Sequence, residues 1–188
     1  MTTTARSDQN VIDLLLQQHM EIKQLFVDVF NAIGEEKRDR FYDLVRLLAV
    51  HESAEEQVVH PTARRNIEGG EAIVGARLEE ENAAKQELSE LYELGVDHPE
   101  FDSRLRAFAE DVVRHATAEE AEEFVALRNA LRPEELAKMA GVVKAAEAAA
   151  PTRPHPAAGE SAMANVVMGP PLAMFDQVRD AVRDWSTS

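Results

Sequence analysis

The chain contains no cysteine. Disulfides, thiolate nucleophiles and zinc–thiolate sites are therefore excluded, and with them haem attached through a Cys-x-x-Cys-His motif; the redox compartment is left open. Basic residues are scarce. Twenty Lys and Arg against 35 Asp and Glu give a formal net charge of −15 and a sequence pI of about 4.8. A surface this acidic repels phosphate backbones and anionic lipids, so neither nucleic acid nor a membrane surface is an expected partner. Long apolar runs are missing as well. Met1 to Asn10 are polar, and the apolar stretch that follows is broken by Asp13, Gln17, Gln18 and His19. That pattern is neither a signal peptide nor a membrane span, and a cytoplasmic protein is expected.

What the chain does have is helical periodicity. Four segments place apolar residues at three- and four-residue spacing. The first, from about Asp8 to Ile33, carries Ile12, Leu15, Leu16, His19, Ile22, Phe26, Phe30 and Ile33, with Gly34 as its stop. In the second, from about Arg38 to Arg65, the stripe is Phe41, Leu44, Leu48, His51, Glu55, Val58 and Thr62, and Pro61 should kink or end it. The third, from about Glu71 to Leu94, has Val74, Leu78, Glu81, Lys85, Leu88 and Tyr92. The fourth starts near Asp97-His98-Pro99-Glu100 and ends near Leu131, with Leu105, Phe108, Val112, His115, Glu119 and Glu122 on one stripe. Four long helices with short joints predict an all-α, up-down-up-down four-helix bundle over residues 8–132. Residues 133–188 read as an Ala/Pro-rich extension: a helix from Glu134 to Ala149, an irregular stretch from Pro151 to Pro171, and an amphipathic helix from Leu172 to Trp185. That last helix is expected to dock on the bundle or on a second subunit, which would make a homodimer.

A six-residue pattern, His-x-x-Ala-Glu-Glu, occurs twice, at His51–Glu56 and at His115–Glu120. In each copy His and the first Glu lie four residues apart and share one helix face. Each of the four stripes also has a polar interruption near its middle: His19; His51 with Glu55; Glu81 with Lys85; His115 with Glu119. In an antiparallel bundle these interruptions meet, and buried unpaired charge is costly. A pair of metal ions would satisfy them together, because imidazole and carboxylate are donors that iron and zinc accept. Three carboxylates against two divalent ions leave about one positive charge, which a bridging hydroxide would neutralise.

Neighbouring residues carry less. Glu52 points about a quarter turn from His51 yet could reach a metal, and Glu122, one heptad after His115, is a ligand or a supporting group. Glu56 and Glu120 read as solvated or supporting, and Glu79 and Glu80 as a solvated face. Lys85 either offsets a ligand carboxylate or reaches outward. His60 falls on roughly the face opposite His51, which favours packing or hydrogen bonding over ligation. His98 reads as a cap and His155 sits in the tail.

On these residues the chain resembles the hemerythrin-like, or HHE cation-binding, family. His19, the run His51-Glu52-Ser53-Ala54-Glu55-Glu56 with Val58-Val59-His60-Pro61, and the run His115-Ala116-Thr117-Ala118-Glu119-Glu120 carry the resemblance, which extends from about Val11 to Leu131. The tail around Phe175 to Asp180 looks like that of actinobacterial members. The resemblance implies a four-helix bundle with a non-haem di-iron centre bridged by oxo or hydroxo. It implies His19, His51, Glu55, His115 and Glu119 as iron ligands, with Glu55 and Glu119 bridging. Family members often carry a His on the third helix; here the run is Leu78-Glu79-Glu80-Glu81-Asn82, and the role passes to Glu81, with Asn82 or Glu80 as alternatives. The implied function is binding or turnover of O2, NO or peroxide, including catalase-like peroxide consumption. The rivals are an iron store or iron/oxygen sensor without turnover, and a metal-free acidic helical interaction protein.

Overall fold

A computed structural model of the chain describes residues 9–149, 175, 176 and 178–180. Helix α1 spans Val11–Asn31 and is capped by the Asn10 side chain, whose Oδ1 accepts from the N–H groups of Ile12 (2.9 Å) and Asp13 (3.1 Å). Helix α2 opens at Gly34, runs to Ala54, passes through a π-helical turn at Glu55–Val59 and resumes as His60–Asn66. Helix α3 is Gly70–Leu94. Helix α4 repeats the pattern of α2: Phe101–Ala118, a π-helical turn at Glu119–Glu123, then Phe124–Ala130. Helix α5 is Pro133–Ala149.

The short joints force antiparallel neighbours, and the four long helices close into a bundle with α1 against α2 and α4, and α3 against α2 and α4. The joint before α3 depends on two glycines. Gly69 sits in the left-handed region at φ +71°, and a Cβ on Gly70 would lie 2.6 Å from the Ala63 carbonyl oxygen. That close approach lets α3 turn back directly onto α2. One end of the core is built from Phe41 and Phe101, edge to face at 5.1 Å, and from Phe26 and Phe108 at 5.7 Å.

The π turns correct the expected phase of two helices. In each, the N–H that closes the turn reaches five residues back, His60 to the Glu55 carbonyl and Phe124 to the Glu119 carbonyl. Each turn absorbs one residue, and everything after it rotates. Val59 and Ala63 are buried where Val58 and Thr62 were expected, and Glu123 is buried where Glu122 was expected. Pro61 neither ends the helix nor prevents its continuation to Asn66; it follows directly on the π turn, in the first turn of the resumed segment.

Helix α5 packs against α1, α2 and the first π turn. Phe175 and Val178, helical and buried, belong to the same apolar core, and the Lys85 ammonium lies 5.3 Å from the Phe175 ring centroid. The expected irregular stretch Pro151–Pro171 lies outside the described residues, as does most of Leu172–Trp185. Among the described residues no helix is long and apolar enough to cross a membrane.

Candidate metal centre

Halfway along the bundle the polar interruptions converge. His19 (α1), His51 and Glu55 (α2) and Glu119 (α4) each direct a donor atom into one group, and Glu55, Glu81 (α3), His115 and Glu119 into another; within each group the atoms lie within 4.8 Å of one another. Glu55 and Glu119 are common to both. Five of the six residues are at most 3 % exposed, and the His115 side chain is 14 % exposed. The Nε2 atoms of His19 and His51 face each other at 3.0 Å. Each histidine Nε2 also lies beside a shared carboxylate: His51 at 3.3 Å from Glu55, and His19 and His115 both at 3.4 Å from Glu119.

The other nitrogen of each of these rings is held from outside. His51 Nδ1 meets Gln18 Oε1 at 3.0 Å, His19 Nδ1 meets Glu120 Oε1 at 2.8 Å, and His115 Nδ1 meets Glu80 Oε2 at 2.8 Å. An Nδ1–H donated outward leaves Nε2 as an inward-facing lone pair, which is how metal-binding imidazoles are oriented. Gln18 is in turn held by α5, donating Nε2–H to Glu147 Oε1 at 3.0 Å. Gln18 has no periodicity signal beyond its place next to His19. Glu80, expected on a solvated face, instead grips His115 from the partly exposed rim, so Glu81 alone of the acidic run points inward, at 1 % exposure, while Asn82 faces solvent.

The donor set fits cations. Both carboxylate oxygens of Glu55, both of Glu119, Glu81 Oε2 and His115 Nε2 are buried without a hydrogen-bond partner. Such atoms cost about 1–3 kcal/mol each, and more when charged, unless something pairs with them. Burial raises the Glu55 carboxyl well above its ordinary range, and the neighbouring Glu119 charge pushes the same way. Glu119 moves in the opposite direction: burial opposes its charge, but the His115 and His19 rings, each 3.4 Å away, hold it well below the usual carboxylate range. Two adjacent buried carboxylates are thus pushed apart in pKa, which disfavours both being charged together unless a cation lies between them. Burial holds the His51 pKa well below its ordinary value, which favours the neutral form a metal accepts.

Behind this cluster lies a second polar layer that the sequence pattern did not reveal. His60 is 1 % exposed and uses both nitrogens: Nε2 to Glu81 Oε1 at 2.6 Å and Nδ1 to Glu123 Oε1 at 3.0 Å. Burial works against a charge on this ring, yet the hydrogen bonds to Glu123 and Glu81 raise its pKa to about 10, so it is an imidazolium clamped between carboxylates. His60, Glu119 and Glu123 form a third group of donors close enough to hold a cation. A uniform helix puts His60 about 180° from His51, and the residue absorbed by the π turn brings that angle to about 80°. Lys85 reaches inward to pair with Glu56 and, at 3.4 Å, with Glu52. Burial and the nearby Glu81 charge outweigh Lys85 and raise the Glu52 carboxyl to about 8.

The hemerythrin HHE cation binding domain profile matches residues 10–127 of the chain, a span that contains both hexads and the converging cluster. The chain belongs to the hemerythrin HHE cation-binding domain family. Its fold agrees with a crystal structure of an HHE cation-binding domain protein from Mycobacterium kansasii. That structure superposes with a TM-score of 0.66 at 20 % identity, covering 74 % of this chain and 85 % of the other. A protein described as a DNA nickase, from Nostoc sp. (strain PCC 7120), is 29 % identical over 143 residues. That alignment takes in 76 % of this chain but 40 % of the relative's length. As an HHE domain the chain is a metal-binding protein, and its His/Glu clusters are the groups able to hold the cation.

Proposed function

We propose that this HHE domain holds two non-haem irons at the middle of its bundle and binds or turns over a small ligand there: dioxygen, nitric oxide or peroxide. One observation carries this reading: two donor quartets overlap in Glu55 and Glu119. His19 and His51 would complete one metal position, and Glu81 and His115 the other. A mixed imidazole and carboxylate set suits iron better than an all-oxygen set, which favours magnesium or calcium, or an all-sulfur one. When bound, an iron pair supplies redox chemistry toward diatomic and peroxide ligands. The protein's own part is to discharge the cations with three carboxylates, to aim three rings through Gln18, Glu80 and Glu120, and to back the His19 ring with the Phe124 ring. The activity described for the Nostoc relative is not carried over, because a net charge of −15 opposes a phosphate backbone.

Metal analysis of the full chain produced in iron-supplied cells tests the proposal. About two irons per chain, with near-ultraviolet absorption of a bridged ferric pair, is the expected result. Peroxide consumption by the same sample then distinguishes turnover from storage. A preparation that takes up zinc in preference to iron, or about one metal per chain, would overturn the di-iron reading.

A further inference from the structure

A cavity of about 530 Å³ opens between α1, α3 and α4 and ends at the polar cluster, where His19, His51, Glu52, Glu81 and His115 form its inner surface. Its size is out of proportion to a diatomic ligand, which needs about the share of one or two waters, each on the order of 30 Å³. It falls instead in the range of sites for organic molecules, roughly 300–1,000 Å³. The walls are Ile22, Leu48, Ala84, Phe108, Val112 and Ala116, so the body of the cavity is apolar and only its inner end is polar.

The rim decides the charge of an occupant. Three of the lining residues are Lys or Arg, and each is engaged. Arg104 donates from Nε to Glu87 at 3.1 Å and from Nη2 to both Glu87 (3.0 Å) and Glu90 (2.5 Å). Arg114 pairs with Asp111 at 2.6 Å, and Lys23 faces Glu120 at 3.7 Å. No lining Lys or Arg is left for a carboxylate or phosphate, while Glu52, Glu80, Glu81, Glu87 and Asp111 line the same space. An anion would enter against that field.

We propose that the cavity binds a compact, neutral, apolar organic molecule of one or two rings, seated against the His/Glu cluster. The location beside two irons rests on the di-iron reading above; the class of ligand rests only on the cavity's volume, walls and rim. Apolar cavities with few polar partners hold water poorly and take up such molecules readily.

The test is a 19F NMR titration of the full-length, iron-loaded protein with 4-fluorotoluene, paired, on the metal-free protein where no iron can ligate a carboxylate, with 4-fluorobenzoate as its anionic counterpart. Saturable binding of 4-fluorotoluene is expected, with 4-fluorobenzoate weaker by about tenfold or more. Ala84→Phe and, independently, Ala107→Phe should each weaken 4-fluorotoluene by about tenfold by filling the space, with iron content and thermal melting measured alongside. Two such variants guard against one failing to fold. No saturable binding, equal binding of the two probes, or unchanged affinity in both folded variants would overturn the proposal. Repeating the titration on metal-free protein separates the two readings. A chain that holds no iron yet binds the probe supports the cavity ligand and defeats the metal assignment. A chain with two irons that ignores the probe does the reverse.

Discussion

The two hexads are alike as far as their first glutamates and differ one turn later. Nine residues after His51 stands His60; nine residues after His115 stands Phe124. The Phe124 ring stacks on His19 at 5.7 Å between centroids and 15° between planes, so an apolar surface backs the His19/His51 quartet. His60 instead grips Glu81 and Glu123, so the Glu81/His115 quartet is backed by an imidazolium between carboxylates, with Lys85 close by. The repeat provides the shared donors, and the residues just beyond the π turns make the two halves of the centre unequal. One half is histidine-rich and apolar, the other carboxylate-rich and charged.

Removing what the halves share should have the largest effect. Glu119→Gln removes the negative charge and one of the two oxygens of a carboxylate common to both quartets and is expected to abolish binding of both proposed irons, whereas His51→Ala should cost about one. Iron per chain, read beside helical content, checks this; a Glu119→Gln protein that keeps one tightly held iron would break the symmetry argument. Next comes His60→Phe, which makes the first copy resemble the second. It leaves Glu81 and Glu123 without their buried cation, and the metal-free protein should lose about 3–5 kcal/mol in denaturant unfolding. An unchanged midpoint would show that the carboxylates simply take up protons.

The charged half also predicts a pH response of the metal-free protein. Burial opposes charge on both His60 and His115, but their carboxylate partners raise them from 6.5 to about 10 and about 9. A raised histidine contributes fully below 6.5 and loses that contribution as pH climbs through its folded value. Glu52, raised from 4.5 to about 8, changes in the same sense. Melting temperature should therefore fall by roughly 5 °C or more between pH 7 and 10. His60→Phe should flatten the upper part of that decline; a decline of the same size in the variant would sink the assignment. The smallest effect is expected from Gln18→Leu, which frees the His51 ring: iron affinity at the histidine-rich half alone should drop about tenfold by competitive chelation.

The four helices and the converging His and Glu residues were legible because both depend on spacing within uniform α-helix. His19 and Glu81 lie on helices without a π turn, and His51, Glu55, His115 and Glu119 precede or begin one, so a constant angle per residue still holds for all six. Val59 and Glu123 close a π turn and His60 and Ala63 follow one, so the stripe expected through Val58, Thr62 and Glu122 is displaced by one residue and His60 turns inward. Gln18 and Glu80 were illegible for another reason. Each acts through a hydrogen bond to a ring on another helix, and no spacing along its own helix encodes that.

The π turns also constrain transplantation of the site. A designer who copied the two hexads onto straight, ideal helices, with His19 and Glu81 facing them, would reproduce all six converging side chains and still lose the layer beneath them. Without the extra residue, His60 would swing toward solvent, and Glu122 would enter the interior in place of Glu123 with no imidazolium to meet it. The portable unit is therefore longer than the hexad. It runs through His60 in one helix and Phe124 in the other, and it includes the irregularity as well as the residues.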